Sequence, residues 1–198
     1  YTVNQEFEKH NRELRRVKKF LREKSQKTDF EIYLMQCYDY FFRLALRTAE
    51  EYGKLPSIRE SKKPVTVCHG DFQHHNLIFE GETLCIINFE KCIPDSPVRD
   101  IYLFMRKLLE KSNWEKETGF RLLDAYEKEN ELTEGEHTEL YYRLAYPEKF
   151  WKISNFYYNT GKAWIPGKNL EKLEKIHLQE KEKIEFLQAF KKKYDILI

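Results

Sequence analysis

Glycine is scarce in this 198-residue sequence: Gly53, Gly70, Gly81, Gly119, Gly135, Gly161 and Gly167 are all there is, and no two of them form Gly-x-Gly. A glycine-rich loop that folds its backbone over nucleotide phosphates is therefore excluded. Long apolar runs are missing as well, since no stretch approaches the roughly 18 continuous apolar residues that cross a bilayer. The opening Tyr1-Thr2-Val3-Asn4-Gln5-Glu6 lacks the pattern of a signal sequence. Cysteine is sparse and irregular. Cys37, Cys68, Cys85 and Cys92 lie in apolar segments, which reads as reduced, intracellular thiols rather than a disulfide framework. A charge imbalance is also lacking, because Lys+Arg 35 against Asp+Glu 33 leaves +2. That balance gives no overall drive toward nucleic acid or anionic membrane, and neither is expected as a partner.

Aromatic residues are plentiful, with Tyr 13, Phe 14 and Trp 3. Many rings and few glycines point to a well-packed, largely helical chain rather than a disordered one. The length suits one domain with a real core. The sequence does not begin with Met, so a larger parent protein is expected.

Helical periodicity opens the chain. Val3, Phe7, Leu14, Val17 and Leu21 recur at three- and four-residue steps, with Arg15, Arg16, Lys18 and Lys19 as a solvated flank. Thr28-Asp29-Phe30-Glu31 has capping-box form, so a second helix starts there. Its expected inward face is Tyr33, Cys37, Tyr40, Phe41 and Leu44, and Gly53 and Pro56 end it. The middle changes character. Val65-Thr66-Val67-Cys68 reads as a short strand, and Leu77-Ile78-Phe79 with Leu84-Cys85-Ile86-Ile87 as a hairpin around Glu80-Gly81-Glu82. No other segment reads as β structure. Helices resume at Ser96-Pro97, with Ile101, Phe104, Met105, Leu108 and Leu109 facing inward. More follow near 115–129, 134–145 and 147–159, the second opened by the pair Thr133 and Glu136. A long Lys/Glu-rich segment runs from Leu170, its apolar side being Leu173, Ile176, Ile184, Leu187 and Phe190.

The chemistry concentrates in Cys68-His69-Gly70-Asp71-Phe72-Gln73-His74-His75-Asn76 and Ile86-Ile87-Asn88-Phe89-Glu90. A carboxylate at Asp71, on a loop leaving a strand, could accept a proton from an attacking hydroxyl. Asn76 offers a carbonyl oxygen suited to Mg²⁺. The hairpin would return Asn88 and Glu90 to the same end of the sheet. Phosphoryl transfer needs such convergence of a base and a metal platform, with little covalent chemistry from the protein.

His69-Gly70-Asp71 followed by Asn76 resembles the catalytic loop of the aminoglycoside phosphotransferase and choline kinase superfamily. Ile86-Ile87-Asn88-Phe89-Glu90 occupies the place of its metal-binding segment, and Arg99-Asp100-Ile101 resembles the Asp that opens the next helix and buttresses the loop. More narrowly, these motifs resemble spore coat proteins of the CotS type. Phe104-Met105-Arg106-Lys107, Ala145-Tyr146-Pro147-Glu148-Lys149-Phe150-Trp151-Lys152 and Lys162-Ala163-Trp164 carry the same likeness, which runs from about Val65 to beyond Asn169.

The resemblance implies an α+β, mostly helical fold: residues 1–198 as a protein-kinase-like C-terminal lobe, with a small hairpin beside the catalytic loop. The nucleotide-covering N-terminal lobe is expected to be absent. It implies Asp71 and His69 as catalytic-loop residues, His69 by fixing the backbone. It further implies Asn76, Asn88 and Glu90 as metal and cofactor ligands, and Asp100 as support. Two departures stand out. Position 88 is Asn where active relatives carry Asp, and no Gly-rich loop or strand-borne Lys precedes Asp71. An amide removes a charge that should face Mg²⁺ and the phosphates. Mg²⁺ and ATP are thus implied only for the full-length protein, with no tight binding expected of this chain alone.

Other patterns read as structural. The histidines and cysteines match no zinc spacing. Phe150, Trp151, Phe156, Tyr157, Tyr158 and Trp164 read as core aromatics before they read as an acceptor pocket. Two readings stay open. One is a spore coat component, made in the cytoplasm, with other coat proteins as partners and an altered, inactive site in the manner of a pseudokinase. The other is an active ATP-dependent kinase of a small molecule with a hydroxyl or amino-sugar acceptor.

Overall fold

The computed structural model describes residues 2–55, 64–159 and 166–196, which form two compact units. The first holds residues 1–55 with 145–181, and the second holds 56–144 with 182–198. Pro56, Trp164 and the Lys162-Ala163-Trp164 motif lie outside the described residues.

In the first unit, α1 (Val3–Glu23) and α2 (Asp29–Gly53) pack together. Thr28 caps α2 as the sequence indicates: its side chain accepts from the Glu31 N–H, and Glu31 returns to the Thr28 N–H. Val3, Phe7, Leu14, Val17 and Leu21 are all buried. The inward face of α2 is rotated from the expected one. Phe30, Leu34, Cys37, Tyr38, Phe41 and Ala45 are buried, whereas Tyr40 is exposed. The stripe follows the contacts of the unit's other two helices, α6 (Glu148–Asn159) and α7 (Pro166–Leu178), and Phe41 stacks on Phe150 with centroids 4.8 Å apart. Tyr146 stacks on Phe7 at 4.3 Å and donates its hydroxyl to Asn11 Oδ1 at 2.9 Å.

The second unit carries all the β structure among the described residues. β1 (Thr66–Cys68) pairs antiparallel with β4 (Ile93–Asp95), and β2 (Leu77–Glu80) pairs with β3 (Thr83–Ile86) around the two-residue turn Gly81-Glu82. The hairpin lies where the two apolar runs around Glu80-Gly81-Glu82 placed it. β4 is an addition to the sequence reading, which saw no strand there. It is three residues long with Pro94 at its centre, and proline ordinarily marks a sheet edge. Helices α3 (Val98–Lys111), α4 (Lys116–Glu127), α5 (Glu134–Ala145) and α8 (Glu180–Lys193) complete the unit. Their core holds Val98, Tyr102, Met105, Leu109, Trp114, Leu123, Leu140, Phe186 and Phe190. The C-terminal segment is two helices rather than one, parted at Gln179. In the second of them Phe186 is buried while Ile184 is exposed, so Phe186 takes the inward place expected of Ile184.

Candidate functional site

The loop between β1 and β2 is built on one carboxylate. Asp100, in the first turn of α3, accepts from the His69 N–H at 2.6 Å and the Gly70 N–H at 2.9 Å. Charge-assisted bonds to two successive amides fix the backbone just before Asp71. Gly70 is required here. Its φ is +74°, and a Cβ would fall 2.1 Å from the Lys91 carbonyl oxygen. Below this turn the Cys68 thiol is buried and donates to the Ser96 carbonyl at 3.2 Å; burial, then the nearby Asp100 charge, raise its pKa.

His69 is the second brace. Its Nδ1 accepts from the Asp71 N–H at 3.2 Å, so the ring proton sits on Nε2 and is donated to the Ile87 carbonyl at 2.8 Å. The ring is buried, with its centroid 4.7 Å from that of Phe89. One imidazole thereby ties the Asp71 loop to the end of β3.

Asn76 and Asn88 meet. The Ile87 N–H bonds to the Asn76 carbonyl at 3.0 Å, extending the hairpin by one step and setting the next residue beside the loop. Asn88 adopts the left-handed conformation, φ 65° and ψ 60°, which Asn tolerates better than most residues. Its Nδ2 donates to Asn76 Oδ1 at 2.8 Å, while the buried Asn76 donates its own Nδ2 to the Asp71 carbonyl at 2.8 Å.

The Asp71 carboxylate is engaged on both oxygens. Gln73 Nε2 donates to Oδ1 at 2.9 Å, and Lys91 Nζ lies 2.7 Å from Oδ2. Glu90 sits with Lys91 on a short 3₁₀ turn, Phe89–Lys91, with its side chain exposed. The structure therefore brings Asp71, Asn76, Asn88, His69 and Asp100 into one hydrogen-bonded assembly, while Glu90 lies at its solvent edge. Sequence reasoning did not single out Gln73 or Lys91. No motif marks them: Gln73 reaches Asp71 from two residues along the loop, and Lys91 does so across twenty residues, a contact that exists only in three dimensions.

Across the loop, Lys111 at the end of α3 donates to His74 Nε2 at 2.9 Å, and the His74 and His75 rings lie 3.8 Å apart. Desolvation, then the positive charges of His75, Lys111 and Lys107, holds the His74 imidazole below its ordinary pKa.

Comparison with known proteins agrees with this architecture. An aminoglycoside phosphotransferase from Alicyclobacillus acidocaldarius subsp. acidocaldarius superposes with a TM-score of 0.86 at 19% sequence identity. The alignment covers 100% of this chain and 60% of that protein, so the chain spans about three fifths of the relative's length. At this identity the likeness concerns the fold: a kinase-like α+β lobe. Residues 4–190 match the family described as "Spore coat putative kinase YutH". A match over nearly the whole chain, on a lobe that carries the His69-Gly70-Asp71 loop, places this protein in that spore coat kinase-like family.

Proposed function

We propose that this chain is the C-terminal lobe of a spore coat protein that keeps a phosphotransferase scaffold, with its phosphoryl-transfer site remade as an inactive, self-satisfied hydrogen-bond network. The observation that carries this reading is the 2.8 Å bond from Asn88 Nδ2 to Asn76 Oδ1. Mg²⁺ seeks oxygen ligands, preferably charged ones. Here the Asn76 side-chain oxygen is taken up by an N–H, and Asn88 turns that N–H toward it. Asp71 has one oxygen on Lys91 and the other on Gln73. Glu90 is the remaining carboxylate, and it points from the solvent edge. In this arrangement the donor set does not fit Mg²⁺.

What these residues do instead is hold one another. Asp100 orders the loop, His69 staples it to β3, and Lys91 neutralises Asp71. A coat role, with other coat proteins as partners, is supported by the family and by exposed apolar strand residues. Phe79 and Leu84, paired across the hairpin, are 71% and 48% exposed, and exposed apolar pairs of this kind commonly mark protein contacts.

The test is a melting scan of the full-length protein with ATP and Mg²⁺. No shift is expected. A clear stabilisation that Asp71→Ala abolishes would overturn the proposal. One observation favours a second reading, an active small-molecule kinase at full length: the Asp71 carboxylate is retained on a firmly held loop, where it could take a hydroxyl proton. That reading expects ATP turnover with an acceptor, lost in Asp71→Asn.

A further inference from the structure

We infer that the face of the loop formed by His74, His75, Lys107 and Lys111 is a subsite for a small phosphate-bearing anion. The inference rests on the reading of this loop as phosphotransferase-derived, and it names the ligand class that the loop accepts. The two histidines form a 3₁₀ turn, His74–Asn76, three and four residues after Asp71. Lys111 and Lys107 stand one helical turn apart on α3, and Lys111 reaches that turn at His74.

The grouping is not explained by the helix alone. A lysine in the last turn of α3 suits the negative end of its dipole. That accounts for Lys111 but not for the exposed His74 imidazole bonded to it, with the His75 ring set against His74. Lys111 Nζ bonds to a neutral ring nitrogen, an acceptor that carries no charge to balance it. The His74 and His75 rings, 3.8 Å apart, add further N–H donors on the same side. An ammonium group and clustered imidazoles converging from a loop and a helix suit phosphate oxygens. A polycationic amino sugar would meet like charge at the same place, and like-charge contacts reject ligands efficiently.

The test uses the full-length protein and inorganic phosphate, followed by the imidazole resonances of His74 and His75. A saturable shift is expected. Lys111→Gln should weaken it by about 3- to 10-fold, in keeping with loss of one charge-assisted bond. Lys193→Gln, a charge change on α8, should leave it unaltered. Failure of the two imidazoles to respond, an equal response in Lys111→Gln, or a stronger response to spermidine than to phosphate would overturn the inference. The outcome is separate from the melting scan with ATP and Mg²⁺. Phosphate binding at His74 can hold or fail whether or not the nucleotide binds.

Discussion

Asn88 and Asn76 are joined side chain to side chain by a 2.8 Å hydrogen bond, at the place where the sequence resemblance implies a metal. The bond is possible because residue 88 is an amide. A carboxylate there has no proton to give and would face the Asn76 oxygen directly.

Replacing Asn88 by Asp should therefore destabilise the metal-free protein by about 1–2 kcal/mol, the scale of a lost hydrogen bond set against an uncompensated acceptor. Added Mg²⁺ should restore much of that loss in Asn88→Asp while leaving the wild type unchanged. Melting curves with and without MgCl₂ check both halves. A variant as stable as wild type without Mg²⁺ would show that the amide pair contributes nothing.

Asp100 supports two amides at once. Asp100→Ala leaves the His69 and Gly70 N–H groups without their acceptor and should cost about 2–4 kcal/mol, since each bond is charge-assisted. Asp100→Asn, with one acceptor oxygen, should lie between. Hydrogen exchange at these two amides gives the direct measurement. Protection unchanged in Asp100→Ala would disprove the bracing role.

Gly70 and Gly81 both have positive φ, yet they differ in surroundings. Gly81 has open space where a Cβ would go, whereas at Gly70 the Lys91 carbonyl stands in the way. Gly81→Ala should cost about 1–2 kcal/mol for the left-handed backbone alone. Gly70→Ala adds the collision and should cost clearly more, displacing the 3₁₀ turn that carries Lys91. Equal losses in denaturant titrations would count against the close approach.

Glu31 contributes to the pH dependence of the first unit. Burial pushes its pKa up, but Lys24, the Tyr157 hydroxyl and the Thr28 N–H together outweigh that and hold it below the ordinary 4.5. A carboxylate depressed in the folded state stabilises the fold above its unfolded pKa, and the contribution is lost as pH falls through the folded value. Glu31→Gln should thus melt lower than wild type at pH 7, by about 1–3 kcal/mol for bonds to a charged group. The gap should begin to narrow as pH falls below about 4.5 and go on closing through the lowered folded value. A gap that does not narrow on acidification would place the effect elsewhere.

Much of this arrangement was legible in the residues, and the reasons are local. Thr28 with Glu31, and Thr133 with Glu136, announce helix starts because each pair satisfies backbone groups within four residues. The hairpin follows from two short apolar runs on either side of a tight turn. Asp100 was readable because the resemblance carried its role together with its position. What stayed hidden is non-local. β4 has too few residues and a proline, and it becomes a strand only because β1 is there to pair with it. Tyr40 and Ile184 match the helical period yet face outward, because period fixes a stripe's spacing and neighbours fix its direction. The occupation of Asp71 by Lys91 needs a contact across twenty residues, and composition carries no trace of it.

The contact at Gly70 is made by the backbone of residue 91, not by its side chain. The lysine head group can be exchanged while the carbonyl that seats the loop stays where it is. Lys91→Ala would take the ammonium away from Asp71 Oδ2 while leaving the backbone contact at Gly70 in place. Forms of this aspartate with and without the lysine's charge beside it are neighbours in sequence space, one substitution apart, and drift between them requires no rebuilding of the fold.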